Sequence, residues 1–112
     1  MSDAARIDAF LEMMSAERGA AANTLEAYRR DLADYAQFAA SKKAPVGNAD
    51  RHLVQHYLIS LDERGFAASS AARRLSSIKQ FYQFLVSDGV RTDDPTRVIP
   101  APRAGTKLPK TM

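Results

Sequence analysis

Between residues 69 and 85 the chain reads Ser69-Ser70-Ala71-Ala72-Arg73-Arg74-Leu75-Ser76-Ser77-Ile78-Lys79-Gln80-Phe81-Tyr82-Gln83-Phe84-Leu85. Wound at a helical 100° per residue, it divides into two faces. Ala71, Leu75, Ile78, Tyr82 and Leu85 form an apolar stripe. Arg73, Ser76, Ser77 and Gln80 gather opposite, with Ser69 and Ser70 at the N-terminal end. That polar face holds a cation, small hydroxyls and an amide, and no carboxylate. Such groups can meet phosphate oxygens and base edges. The plainer reading is an ordinary solvated face that lacks acids, since charge runs are common on helices.

No other cluster argues for chemistry. His52 and His56 stand four apart, a spacing that suits zinc. The residues between them are Leu53, Val54 and Gln55, without the glutamate of a metalloprotease motif, and no third ligand is near in sequence. No metal and no cofactor are expected. Tyr28, Tyr35, Tyr57 and Tyr82 fall on apolar stripes and read as core residues whose hydroxyls find a partner. Asp31 with Asp34, and Asp62 with Glu63, read as surface charge rather than acid–base dyads. The five glycines all lie near turns, so there is no phosphate-cradling loop. The chain is not expected to be an enzyme by itself, and it has no catalytic residue to name.

These residues need helices to position them. With 112 residues and 46% hydrophobic content, the chain has material for one domain with a modest core. It has no cysteine, which excludes a disulfide framework and suits a reducing compartment. The N-terminus leads into an amphipathic pattern, not a secretory one, and no apolar stretch is of membrane-spanning length. These signs read as a soluble, cytoplasmic protein. Residues 1–56 carry a charge of about −1 and residues 57–112 about +4, within a net +3. From Arg97 onward there are four basic residues and no acid. A basic second half suits a polyanion partner.

Four helical patterns follow. The first covers residues 3–18, capped by Ser2 or Asp3, buried through Ile7, Phe10, Leu11 and Met14, and ended by Gly19. The second covers 24–41, capped by Asn23 or Thr24, with Leu25, Tyr28, Leu32, Tyr35, Ala36 and Ala39 on one side. A loop with Lys42, Lys43, Pro45, Gly47 and Asn48 leads to the third, residues 50–64, with Leu53, Val54, Tyr57, Leu58 and Leu61 inward. The fourth covers 69–87, with Ser69 or Ser70 as cap. Asp94 and Pro95 could open a short fifth helix. Phe84 projects with the polar face and is expected to be covered by Val98 and Ile99. Residues 100–112, with repeated prolines, read as an extended linker. The expectation is an all-α, compact four-helix orthogonal bundle in residues 1–99, followed by a linker that suggests a cut at a domain boundary or a missing second domain.

Several strings resemble a known family. Asn23-Thr24-Leu25-Glu26-Ala27-Tyr28-Arg29-Arg30-Asp31-Leu32 is similar to the N-T-x-x-x-Y-x-x-D-L segment of tyrosine site-specific recombinases. The run from Ser69 to Ile78, with Phe81-Tyr82-x-Phe84-Leu85, looks like the second motif of the same N-terminal domain. Asp93-Asp94-Pro95 and Lys107-Leu108-Pro109-Lys110 resemble its closing elements. The likeness is greatest to the bacterial Xer recombinases, to the XerD branch more than to XerC. It implies the core-binding, SAM-like domain, which grips one side of duplex DNA through its second and fourth helices. Carried over by position, the implied DNA contacts are Asn23, Thr24, Ala27 and Arg30 on the second helix, and Ser69, Ser70, Arg73, Arg74, Ser77 and Lys79 on the fourth. Glu26 departs from a phosphate-facing pattern and is expected to point at Arg30.

The resemblance also implies the parent's activity. That is site-specific strand exchange through a phosphotyrosyl bond, in a tetramer with a second Xer-type recombinase, serving chromosome dimer resolution with a DNA translocase. Two other classes fit the same helices: a protein-interaction module whose fourth helix binds an acidic surface, and a helix-turn-helix transcription factor.

Overall fold

A computed structural model describes residues 2–97 and Ile99. It contains four α-helices: α1 (Asp3–Arg18), α2 (Ala22–Ser41), α3 (Arg51–Glu63) and α4 (Ala68–Ser87). One turn of 3₁₀ helix, Val46–Asn48, lies between α2 and α3. No strand occurs among the described residues, so the all-α expectation holds. None of the helices is long and apolar enough to cross a membrane. The expected linker at residues 100–112 lies outside the described residues.

Local chemistry sets the helix limits. Ser2 Oγ accepts from the Ala5 N–H at 3.1 Å and starts α1. Gly19, at φ 61°, closes it in the left-handed region that glycine enters without strain. Asp50 starts α3 by accepting from the Leu53 N–H at 2.9 Å. The starts of α2 and α4 differ from expectation. Each helix begins earlier than its hydroxyl and amide residues suggest, with Ala21 and Ala67 in extended conformation before the first turn and no side chain capping it. Asn23, Thr24, Ser69 and Ser70 therefore sit inside the first turns, their side chains not used as caps. The expected fifth helix is a single turn. Thr96 N–H donates to Asp94 Oδ1 at 2.8 Å and Arg97 N–H to the Asp94 carbonyl at 3.2 Å. Asp94 is thus the cap, but Ile99 precedes Pro100, which disfavours a further helical residue.

The apolar stripes meet as expected. Ile7, Phe10, Leu11 and Met14 of α1 pack with Leu32, Tyr35 and Ala39 of α2, Leu53, Val54, Tyr57 and Leu61 of α3, and Ala71, Leu75, Ile78, Phe81, Tyr82 and Leu85 of α4. Helices α2 and α4 each pack against the other three. Phe84 packs on Phe10, ring centroids 5.8 Å apart, and Ile99 is buried in the same core. Val98 lies outside the described residues.

Two buried polar arrangements tie the bundle together. In the first, Tyr82 Oη donates to the Val46 carbonyl at 2.8 Å. Its one proton is then spent, so Tyr35 is the donor in the 2.7 Å contact between the two hydroxyls. Val46 N–H is held in turn by the Asp3 carboxylate, 3.3 Å from each oxygen. Burial pushes the Tyr35 hydroxyl up to about 12 and raises that of Tyr82 as well. Both remain neutral donors with no claim to nucleophilic chemistry.

In the second, Asp34 of α2 receives Tyr57 Oη at 2.7 Å, Arg74 Nη1 at 3.1 Å and both terminal nitrogens of Arg64, at 3.1 and 3.3 Å. The Phe66 ring lies against both guanidiniums, 4.9 Å from Arg64 and 4.7 Å from Arg74. Burial alone would raise the Asp34 carboxyl. The hydrogen bonds from Arg64 and Tyr57, with the charges of Arg64 and Arg74, outweigh it and hold the group below 3.8.

Two outcomes are expected. Tyr82→Phe strands both the Val46 carbonyl and the Tyr35 hydroxyl and should cost about 1–3 kcal/mol in urea unfolding, more than Tyr35→Phe, which removes only the terminal donor. Because the Asp34 carboxyl titrates lower in the folded chain than in the unfolded one, its contribution is full above pH 3.8 and fades as pH falls through the folded value. Asp34→Asn should therefore lose stability at neutral pH, by about 1–3 kcal/mol, and show a shallower decline of melting temperature below pH 3.8. An unchanged acid limb would remove Asp34 from that role.

Candidate nucleic-acid interface

Helices α2 and α4 lie side by side, and their N-terminal halves enclose a shallow groove of about 350 Å³. It is lined by Asn23, Thr24, Ala27, Tyr28 and Asp31 from α2, and by Arg73 and Ser77 from α4. The positions on α2 fall three and four apart, as do those on α4, so each set is one helix face. Asn23, Thr24 and Arg73 are exposed at its rim, and Ala27 and Tyr28 are half-buried along its wall. Ser69, exposed, and Ser70, half-buried, lie one turn before Arg73.

The floor is Asp31, only 1% exposed. Its Oδ2 accepts from Arg73 Nη1 at 2.9 Å and from Ser77 Oγ at 3.0 Å. Arg74 Nε approaches Oδ1 at 3.9 Å from the interior side. The Arg73 side chain nevertheless keeps 50% of its surface open.

The structure brings together five of the ten residues expected to touch DNA: Asn23, Thr24, Ala27, Arg73 and Ser77. Their placement corrects several expectations. Ser77 is 1% exposed and spends its hydroxyl on Asp31, with the Arg73 carbonyl a longer, competing acceptor at 3.3 Å, so it supports the groove from below and cannot reach a ligand. Arg74 is buried beneath Phe66 and bound to Asp34 and Tyr57 Oη, so it belongs to the core and not to the surface. Lys79 donates to the Ile99 carbonyl at 2.8 Å, away from the groove. Arg30 is exposed on α2 and, among the described residues, pairs with no acid. Glu26 does not pair with it. Glu26 instead lines a second groove between α1 and α2, beside Asp8, Glu12 and Arg29.

The carboxylate-free face also needs correction. Helix α4 carries no acid there, but α2 supplies one, buried against it. The C-terminal half of that face is occupied too: Gln80 Oε1 accepts from Arg18 Nη1 of α1 at 3.0 Å. The N-terminal half keeps its cation and hydroxyls outward, while Gln80 is engaged by α1.

Asp31 is the residue that sequence reading missed. A signal was present: it stands three before Asp34 and three after Tyr28, in register with the buried Tyr35 four residues on, so the helical period turns it inward. His52 and His56 are exposed on α3. No group of three or more His, Asp or Glu side chains among the described residues is placed to hold a metal.

The first turns bordering the groove add an electrostatic term. Those of α2 and α4 contain no acid and no side-chain cap, so their N–H dipole ends remain open. The N-termini of α1 and α3 are both closed by side chains.

Residues 7–89, from within α1 to just past α4, match the family described as phage integrase, N-terminal SAM-like domain. Among curated proteins, the chain is 56% identical over 98% of its length to a tyrosine recombinase XerD of Agrobacterium fabrum. It is 53% identical over 97% to that of Rhizobium meliloti, and 47% identical over 94% to that of Caulobacter vibrioides. It covers 33, 35 and 34% of those proteins respectively, so the chain spans about a third of the length of the curated relatives it matches. No solved structure gives a significant match. With four helices in the expected order and a family match across all of them, the chain belongs to the phage integrase N-terminal SAM-like domain family.

Proposed function

We propose that this chain is the DNA-gripping N-terminal domain of an XerD-type tyrosine recombinase, and that its groove between α2 and α4 lies on the duplex. One observation carries the reading. The two α-helices that begin without side-chain caps, α2 and α4, are the two that line the groove, and the half-open Arg73 faces it from α4. Open N–H groups and positive dipole ends favour phosphate oxygens at both rims. Asn23, Thr24, Ser69 and Ser70 add neutral donors and acceptors within reach of a groove edge. Arg30 supplies an exposed cation on α2 that is in no ion pair among the described residues. The identities to XerD proteins support the same reading.

On this reading the contacts to DNA are Asn23, Thr24, Ala27, Arg30, Ser69, Ser70 and Arg73, with Ser77 beneath them. Cleavage and rejoining fall to a catalytic domain of the full-length protein, and no residue named here touches the reacting phosphate. The parent acts in site-specific recombination and chromosome dimer resolution in the cytoplasm. It works in a tetramer on DNA with a second Xer-type recombinase and together with a DNA translocase. The domain alone holds half of a clamp and binds weakly.

Fluorescence anisotropy with a labelled duplex tests this. Binding by the chain should weaken steeply with salt, and Arg30→Ala should reduce the slope of log K against log salt by about one unit. Binding that ignores salt, or that prefers an acidic protein to duplex DNA, would favour a protein-interaction module. Tight binding of a dimer to a palindrome would favour a transcription factor.

A further inference from the structure

Arg73 is an unusual phosphate ligand, because its charge is partly offset by Asp31, a carboxylate that Arg74 Nε also approaches at 3.9 Å. The guanidinium carries five N–H donors in one rigid plane. One of them, on Nη1, is fixed to Asp31 Oδ2 at 2.9 Å. Asp31 is 1% exposed, so neither rotation outward nor hydration can release that partner cheaply. Ser77 Oγ donates its one proton to the same oxygen at 3.0 Å, with the Arg73 carbonyl a longer, competing acceptor at 3.3 Å, and so ties the carboxylate to the helix that carries Arg73. The rest of the fork stays open to the groove, since half of the side chain is exposed.

The two classes of DNA acceptor respond differently to such a pair. A phosphate is drawn by net charge, and here it meets a cation beside a buried anion. A base edge is neutral and needs aimed donors. Bidentate recognition of guanine O6 and N7 depends on a fork held in one orientation. An anchored, charge-compensated arginine meets the second requirement and serves the first poorly. Arg30, exposed and in no ion pair among the described residues, is the better phosphate partner of the two.

We infer that Asp31 is a positioning residue that makes Arg73 a reader of a guanine edge rather than a phosphate clamp. The inference rests on the DNA-binding reading above and names which contact within it carries sequence information.

Duplexes enriched from a randomised pool by the full-length protein provide the test. The wild type should enrich a guanine that both Arg73→Ala and Arg73→Lys fail to select. Affinity for the enriched duplex should fall about ten- to hundredfold in these variants, while the salt slope stays unchanged. Lysine keeps the charge and loses the fork, so a phosphate contact would survive that change. Asp31→Asn uncouples the charge: it should bind unselected duplex more tightly, with a salt slope steeper by about one unit, and lose the same guanine. A merely structural role for Asp31 would not steepen that slope. The inference is overturned if Arg73→Ala lowers the slope by about one unit with base preference intact, or if Arg73→Lys keeps the preference. Should Asp31→Asn prove unfolded by circular dichroism, the two Arg73 variants decide alone. A wild type that shows no salt-dependent duplex binding would instead remove the functional reading on which the inference stands.

Discussion

Two carboxylates on α2, Asp31 and Asp34, hold Arg64 just past α3 and Arg73 and Arg74 of α4, and the rest of the bundle is arranged around that constraint. Taking charge out of water is costly unless partners are in place. Asp31 finds Arg73 and Ser77, and Asp34 finds Arg64, Arg74 and Tyr57. Sliding α2 by one turn along α4 would strand Asp31 and Arg74 inside the fold and part the half-buried Asp34 from its partners. Apolar stripes alone would tolerate such a slip far better, since leucine and alanine pack in many registers. The ion pairs therefore fix which residues of α2 face which of α4, and with them the shape of the groove.

The helix pattern was legible from spacing. Ile7, Phe10, Leu11 and Met14 of α1 recur at three and four and all lie inside. The same holds for Leu53, Val54, Tyr57 and Leu61 of α3. The candidate site was half legible. Arg73 and Ser77 stand on one face of α4 by angle alone, and the structure does put them together. What angle could not give was depth. A helical wheel treats Ser77 and Ser76 as equivalents, yet Ser77 is buried and Ser76 exposed, because α2 crosses over one side of that face only. Partners from distant sequence were equally hidden. Nothing local to Arg74 says that Asp34 lies forty residues before it in space-sharing contact. The caps failed for another reason: Ser, Thr and Asn signal a helix start, but at α2 and α4 the chain turns at alanine and places those residues beyond it.

The polar side of α4 divides along its length. Its first turns, with Ser69, Ser70 and Arg73, look outward, while Gln80 is tied to Arg18 of α1. Phe84, further on, is absorbed by Phe10. The cation and hydroxyls that could meet a ligand therefore stand at one end of the helix. The short reach of the groove follows from that geometry.

Alanine at positions 21 and 67 has a cost that the folded chain bears permanently. A serine or aspartate at such a position commonly adds on the order of 1 kcal/mol. A search for a hardier variant would turn first to these two sites. It would then place an acceptor, or a full negative charge, against the amides bordering the groove. Selection for robustness and selection for recognition thus pull in opposite directions at Ala21 and Ala67, and a mild thermal fragility would be the mark that recognition prevailed.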